Sequence, residues 1–121
     1  MKEIKAKLVN LTPNTIKIYD EGLELIHEIP PSFEHRAKLY VQRDLVCVLN
    51  DDIPVHRAIM GPNNVSGIPE PEDGVIYIVS ALVAQAAQRF DVVSPDTLPG
   101  REGPIKGPRG VSGIRGFQTW V

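Results

Sequence analysis

Apolar and polar residues alternate with a period of two through most of the first half of the chain, the pattern of strands with one buried face. Thr15-Ile-Lys-Ile-Tyr19 places Ile16 and Ile18 on one side, and Leu23 to Ile29 alternates with a slip at Leu25-Ile26. Asp20-Glu21-Gly22 between them supplies turn chemistry, so the two segments predict a hairpin. Pro30-Pro31 ends the second strand, because proline has no N–H for a ladder. His35 to Val41 is a third candidate, with Ala37, Leu39 and Val41 on one face. Leu45-Val-Cys-Val-Leu49 is a short unbroken apolar run and predicts a buried strand, with Cys47 as a small buried hydrophobe. Asn50-Asp51-Asp52 predicts a turn, since Asn and Asp tolerate left-handed backbone, and Ile53 to Met60 can return as a strand.

The pattern changes after Gly74. Val75 to Val79 is apolar and rich in β-branched residues, which predicts a central strand. Residues 81–89 turn to Ala, Leu and Gln, good helix formers, with Leu82, Val83, Ala86, Ala87 and Phe90 at helical spacing on one face. Ser80 stands at the junction, where its hydroxyl can cap a free amide. A short strand follows from Asp91 and stops at Ser94-Pro95-Asp96-Thr97, and Gly116 to Val121 is a last candidate. Together these predict an α+β single domain: β-rich, six to eight short strands in a mixed sheet, and one helix at about residues 81–89.

Composition adds a division within the chain. Gly (10) and Pro (11) exceed the roughly 12% of average usage in 121 residues. Six of the glycines fall between Gly100 and Gly116. Residues 1–98 carry nine Lys/Arg and fourteen Asp/Glu, a charge of −5, whereas residues 99–121 carry four Lys/Arg and one Glu, +3. An acidic body at 1–98 is thus followed by a basic, Gly-rich segment at 99–121 that ends in a strand candidate. Its Gly-X-Y spacing covers six triplets with a break at Lys106, too little for a collagen helix. Four positive charges are a weak footprint for nucleic acid, which is not expected as a partner. No apolar run reaches the length of a membrane span, and Met1 to Pro13 lacks the apolar core of a secretory leader, so a cytoplasmic location is expected. The single cysteine leaves no internal disulfide and no Cys-based zinc site, and no metal or cofactor is expected.

Candidate chemistry is sparse. The strand–Ser80–helix junction has neither a P-loop nor a dinucleotide fingerprint, and Ile78-Val-Ser-Ala-Leu82 is not a Gly-x-Ser-x-Gly elbow. His27, His35 and His56 lack metal-ligand spacing. No catalytic residue is assigned. A small anionic, nucleotide-like ligand would draw on Ser80, Arg36, His35, Arg89 and Arg109, combining a helix terminus with guanidinium groups.

Several segments resemble a family of small, uncharacterised bacterial and bacteriophage proteins: Val9-Asn-Leu-Thr-Pro13, Pro30-Pro-Ser32, Gly67-Ile-Pro-Glu-Pro71, Tyr77-Ile-Val-Ser80, Arg89 to Asp91 and Ser94-Pro-Asp-Thr97. This chain has Asn14 and Phe33 where the family often has His and Gly. The resemblance implies a phage or prophage origin and no reaction. Three functions follow as expectations. The first is a non-enzymatic binding protein for a small anionic ligand or a host protein. The second is a structural or assembly protein that forms homo-oligomers through its C-terminal segment. The third is a small hydrolase pairing His35 or His56 with Asp91 or Asp96.

Overall fold

The computed structural model describes residues 2–96, 105–106 and 112–121. The chain forms β1 (Lys7–Asn10), β2 (Ile16–Tyr19), β3 (Leu25–Ile29), β4 (Lys38–Leu39), β5 (Gln42–Leu49) and β6 (Ile53–Ile59). A 3-10 turn at Pro62–Asn64 leads to β7 (Val65–Ser66), then β8 (Val75–Ile78), α1 (Ala81–Ala87) and β9 (Val92–Pro95). The last strands are β10 (Ile105–Lys106), β11 (Ser112–Gly113) and β12 (Phe117–Gln118). The fold is α+β, rich in strands, with one helix among the described residues.

A four-stranded mixed sheet in the order β1-β8-β9-β12 organises the body. β8 runs parallel to both β1 and β9, and β12 closes the edge antiparallel to β9. The apolar Val75-Ile-Tyr-Ile run thus sits at the centre of the sheet, where both faces must be covered. On one face, α1 and neighbouring loops enclose Leu11, Tyr77, Val79, Val83, Ala84 and Val92. On the other, Ile16 and Ile18 of β2 pack with Ile78 and Ile114. Tyr77 and Ile78 therefore point to opposite cores, as the period of two requires.

The β2–β3 hairpin forms where the alternation places it, and the slip at Leu25-Ile26 is a bulge: Tyr19 pairs with Leu25 but Ile18 with His27. Its turn is held by Asp20, whose Oδ1 accepts the Glu24 N–H at 3.0 Å and whose carbonyl accepts the Leu23 N–H at 3.0 Å. The left-handed position falls on Leu23 (φ 63°) and not on Gly22.

The helix ends at Ala87, short of 89, because Gln88 takes a left-handed conformation (φ 52°) and closes the last turn onto the Ala84 carbonyl at 3.3 Å. Val83, Ala84, Ala86 and Ala87 form its buried face. Leu82 is exposed, and Phe90 lies beyond the helix end and is exposed too, so neither joins the expected apolar face. Ser80 is the N-cap, but its hydroxyl caps nothing; its carbonyl accepts the Ala84 N–H at 2.9 Å. The expected strand over His35–Val41 is reduced to the two residues of β4, paired with β7.

The largest departure is β5. All eight of its residues are exposed, Cys47 included, where a buried strand was expected. β5 pairs with β6 alone, and the two form a separate ribbon that no third strand joins among the described residues. The pattern within Leu45–Leu49 is indifferent to this: an apolar run reads the same whether its neighbours cover it or not.

The C-terminal residues return to the body. Ile114 is buried against β2, with its N–H on the Lys17 carbonyl at 3.0 Å and its carbonyl accepting the Tyr19 N–H at 2.8 Å. Phe117 packs on the core beside Ile78, and the Trp120 indole N–H donates to the buried Ser94 hydroxyl at 2.9 Å. Phe117 and Trp120, both in the C-terminal segment, thus contact their own sheet. Gly113 lies against the ring of Tyr19, and a Cβ there would overlap the ring.

Candidate functional site

Two surfaces stand out. The first is a cleft of about 400 Å³ beside the edge strand β1, lined by Lys7, Val9, Ser32–His35, Pro69, Glu72, Val75 and Tyr77. Its walls are built by polar side chains that tie loops to the sheet. Asn10, 1% exposed, makes four hydrogen bonds: its amide donates to the carbonyls of Asn14 (2.8 Å) and Ile29 (3.0 Å), and its Oδ1 accepts the Thr12 N–H (2.9 Å) and hydroxyl (2.6 Å). The Asn10 carbonyl accepts the Ser32 N–H at 2.7 Å, and the Ser32 hydroxyl accepts the N–H groups of Glu34 and His35. The Asn-Leu-Thr and Pro-Pro-Ser segments are thus structural: they shape the loop that carries Phe33, Glu34 and His35.

The opposite wall depends on Arg89. Its Nε and one terminal nitrogen bind both oxygens of the buried Asp91 carboxylate at 2.9 and 2.6 Å. The same terminal nitrogen donates to the Pro69 carbonyl at 3.0 Å, and the guanidinium lies 5.8 Å from the centre of the Tyr77 ring. The hydrogen bonds to Asp91 raise the Arg89 pKa above its ordinary value, with the nearby charges of Asp91 and Glu70 adding to them and burial opposing. Gly67, two residues before Pro69, packs against the backbone at Arg36. Its φ of 86° and its contact with the Arg36 carbonyl leave no room for a side chain.

The expected anion-site residues do not assemble. His35 lines the cleft and faces Glu34 at 3.8 Å, exposed. Arg36 donates to the Thr12 carbonyl at 2.6 Å, and Arg89 is engaged by Asp91 and Pro69 and lines a separate small cavity with Ile68 and Ala87. Ser80 is exposed at the start of a seven-residue helix. Arg109 lies outside the described residues. The cleft carries Lys7 and His35 against Glu34 and Glu72, so its charge does not select an anion. For the hydrolase pairing, His56 is on the β5–β6 ribbon and both Asp91 oxygens are held by Arg89. No group of three or more His, Cys, Asp or Glu that could hold a metal occurs among the described residues.

The second surface is the β5–β6 ribbon. Leu45, Val46, Val48, Leu49 and Ile53 are 49–60% exposed, far more than apolar side chains retain when one face of a strand is packed. At the tip, Asn50 and Asp51 have φ of 49° and 72°, and the Asp52 N–H donates to the Leu49 carbonyl at 3.2 Å, the tight turn that suits a twisted hairpin. Toward the base the register sets Asp44 opposite Arg57. The signal that could have located this surface lies in the partner strand. Pro54, His56 and Arg57 break up the apolar positions of β6, which marks it as solvated, and the three-residue turn Asn50–Asp52 makes the apolar run of β5 share that environment.

No helix among the described residues is long and apolar enough to cross a membrane. Comparison with models of known families, with curated proteins and with solved structures finds no significant match.

Proposed function

We propose that this chain is a non-enzymatic binding protein that works by contact with other protein chains, in the cytoplasm and in a phage or prophage setting. The exposed β5–β6 ribbon carries the reading. A two-stranded ribbon is marginal in water without a third strand or a packed face. Five exposed aliphatic side chains on one such ribbon form the kind of patch that marks an interaction surface. The resemblance to small phage proteins supports the setting.

A second reading rests on the cleft. Phe33 is fully exposed and lines the same cleft as Lys7, Ser32 and His35, an arrangement that can stack the flat base of a nucleotide, with the recognition resting on the ring because the cleft's mixed charge does not favour the phosphate.

The test compares three tagged forms in pull-downs from a bacterial lysate that also contains the untagged chain: wild type, Leu45→Ser with Leu49→Ser and Ile53→Ser, and His35→Ala. Specific retention by wild type and His35→Ala that is lost in the triple variant is expected. Equal retention by all three overturns the ribbon reading. A thermal shift of several degrees with a nucleotide, abolished by His35→Ala, would establish the cleft instead.

A further inference from the structure

β1 is an edge strand, and part of its outer side is open. The Lys7 and Leu11 N–H groups point inward, onto the Gly74 and Ile78 carbonyls. A trans peptide aims its C=O opposite to its N–H, and successive residues alternate, so the Ala6 carbonyl and both backbone groups of Leu8 point outward. The next outward carbonyl, that of Asn10, is taken by the Ser32 N–H at 2.7 Å, where Pro31 lies beside Asn10 in a short parallel bridge. Among the described residues no strand pairs with β1 on the outer side of Leu8. This open edge borders the cleft: Lys7 with Val75 and Val9 with Tyr77 are register pairs, and all four line it. At the cleft Phe33 is fully exposed, and the charged side chains are Glu34 and Glu72 against Lys7, with His35 3.8 Å from Glu34.

We infer that this cleft takes an extended peptide segment of a partner chain, which adds a strand to β1 at Leu8 and lays an arginine side chain on the Phe33 ring beside Glu34 and Glu72. The cleft is separate from the ribbon, so this is a second contact surface and does not depend on the first. In an added strand the backbone bonds give affinity, and pockets for alternate side chains give the choice of sequence. Alternate side chains of the visitor stand over the face that carries Val9 and Val75, two half-buried residues that form an apolar floor. Two carboxylates against one ammonium favour a cation on that strand. Phe33 selects the guanidinium among cations. A flat, weakly hydrated cation can lie on a ring and still fork to a carboxylate, whereas a compact, strongly hydrated ammonium cannot do both. Pro31 and the occupied Asn10 carbonyl end the open edge, so the visitor pairs only along Ala6 to Leu8 and its hold is brief.

Fluorescence anisotropy of the full chain with a labelled, end-blocked peptide Thr-Val-Arg-Val-Thr tests this, and the altered residues are exposed, so the variants keep the fold. Binding in the micromolar range is expected. Lysine at the centre of the peptide should weaken it about threefold, and glutamate there about tenfold or more. Phe33→Leu, which keeps an apolar side chain but no ring, should erase the preference for arginine over lysine. Glu34→Gln with Glu72→Gln should erase the preference for arginine over glutamate. N-methylation of one of two neighbouring peptide amides should abolish binding and that of the other should spare it, because only alternate amides face β1. Hydrogen exchange at the Leu8 amide should slow in the complex. No binding up to millimolar peptide overturns the inference, as does binding that ignores N-methylation or is unchanged in both Phe33→Leu and the double glutamine variant. If adenosine monophosphate binds and the peptide does not, the cleft holds a base and the partner strand is excluded; if neither binds, both readings of the cleft fail while the ribbon is untouched.

Discussion

Arg89 holds Asp91 from two residues away, with Nε 2.9 Å from one carboxylate oxygen and a terminal nitrogen 2.6 Å from the other. The pair sits where α1 turns back into β9, and its second reach, to the Pro69 carbonyl, ties the loop before β8 to the same corner. Asp91 is 5% exposed, so the arginine is what makes a carboxylate tolerable there.

Removing Arg89 should therefore destabilise the protein more than a surface ion pair would. Arg89→Ala is expected to cost about 2–3 kcal/mol, and Arg89→Lys about half of that or more, since an ammonium cannot reproduce the two parallel bonds. Urea unfolding measures this. A loss below about 0.5 kcal/mol for Arg89→Ala, the size of an exposed pair, would show that Asp91 has another means of support.

Asn10 offers a test with pH. Asn10→Asp keeps the size but points a carboxylate at the carbonyls of Asn14 and Ile29, which now accept from the amide. Burial and these carbonyls raise the folded-state pKa of the new acid above its unfolded value. Its protonated form is thus the one the fold accepts, so the deficit relative to wild type is small below the unfolded pKa and grows as pH rises toward and through the folded one. Melting temperatures of both proteins at pH 4 and pH 7 should diverge at the higher pH, and a constant gap would refute the assignment.

Leu23 carries a φ of 63° on a half-exposed turn. A β-carbon in that region costs about 1–2 kcal/mol. Leu23→Gly should relieve part of this and stabilise by up to about 1 kcal/mol, after the greater freedom of glycine in the unfolded chain is subtracted. Thermal denaturation would show a rise of a few degrees.

Gly67 and Gly74 both have positive φ, 86° and 77°, but differ in surroundings. A Cβ at Gly74 meets nothing within 4 Å, whereas one at Gly67 runs into the Arg36 carbonyl. Gly74→Ala should cost about 1 kcal/mol from the backbone alone. Gly67→Ala should cost at least twice as much by the same denaturation measurement, because a backbone atom has no alternative position. Equal costs would mean that the Gly67 loop can shift away from Arg36.

Where a sequence signal is local, it reads through to the structure. The β2–β3 hairpin, its bulge at Ile26, the turn at Asn50-Asp51, the central strand and the start of the helix all follow from alternation, turn chemistry or propensity within a dozen residues. The site residues did not, because Arg36 and Arg89 are committed to carbonyls 24 and 20 residues distant, and no local pattern states where a guanidinium will find its acceptor.

The amino-acid sequence by itself determined an α+β chain of short strands punctuated by proline, with one helix after Ser80, since these depend on backbone preferences that neighbours set. Only the tertiary structure decided which apolar surface stays open. Val75 to Ile78 and Leu45 to Leu49 are equally apolar, yet one is enclosed by α1 and β2 and the other stands on a ribbon. Burial is a property of what packs against a strand, and that is written in the other strands rather than in its own residues.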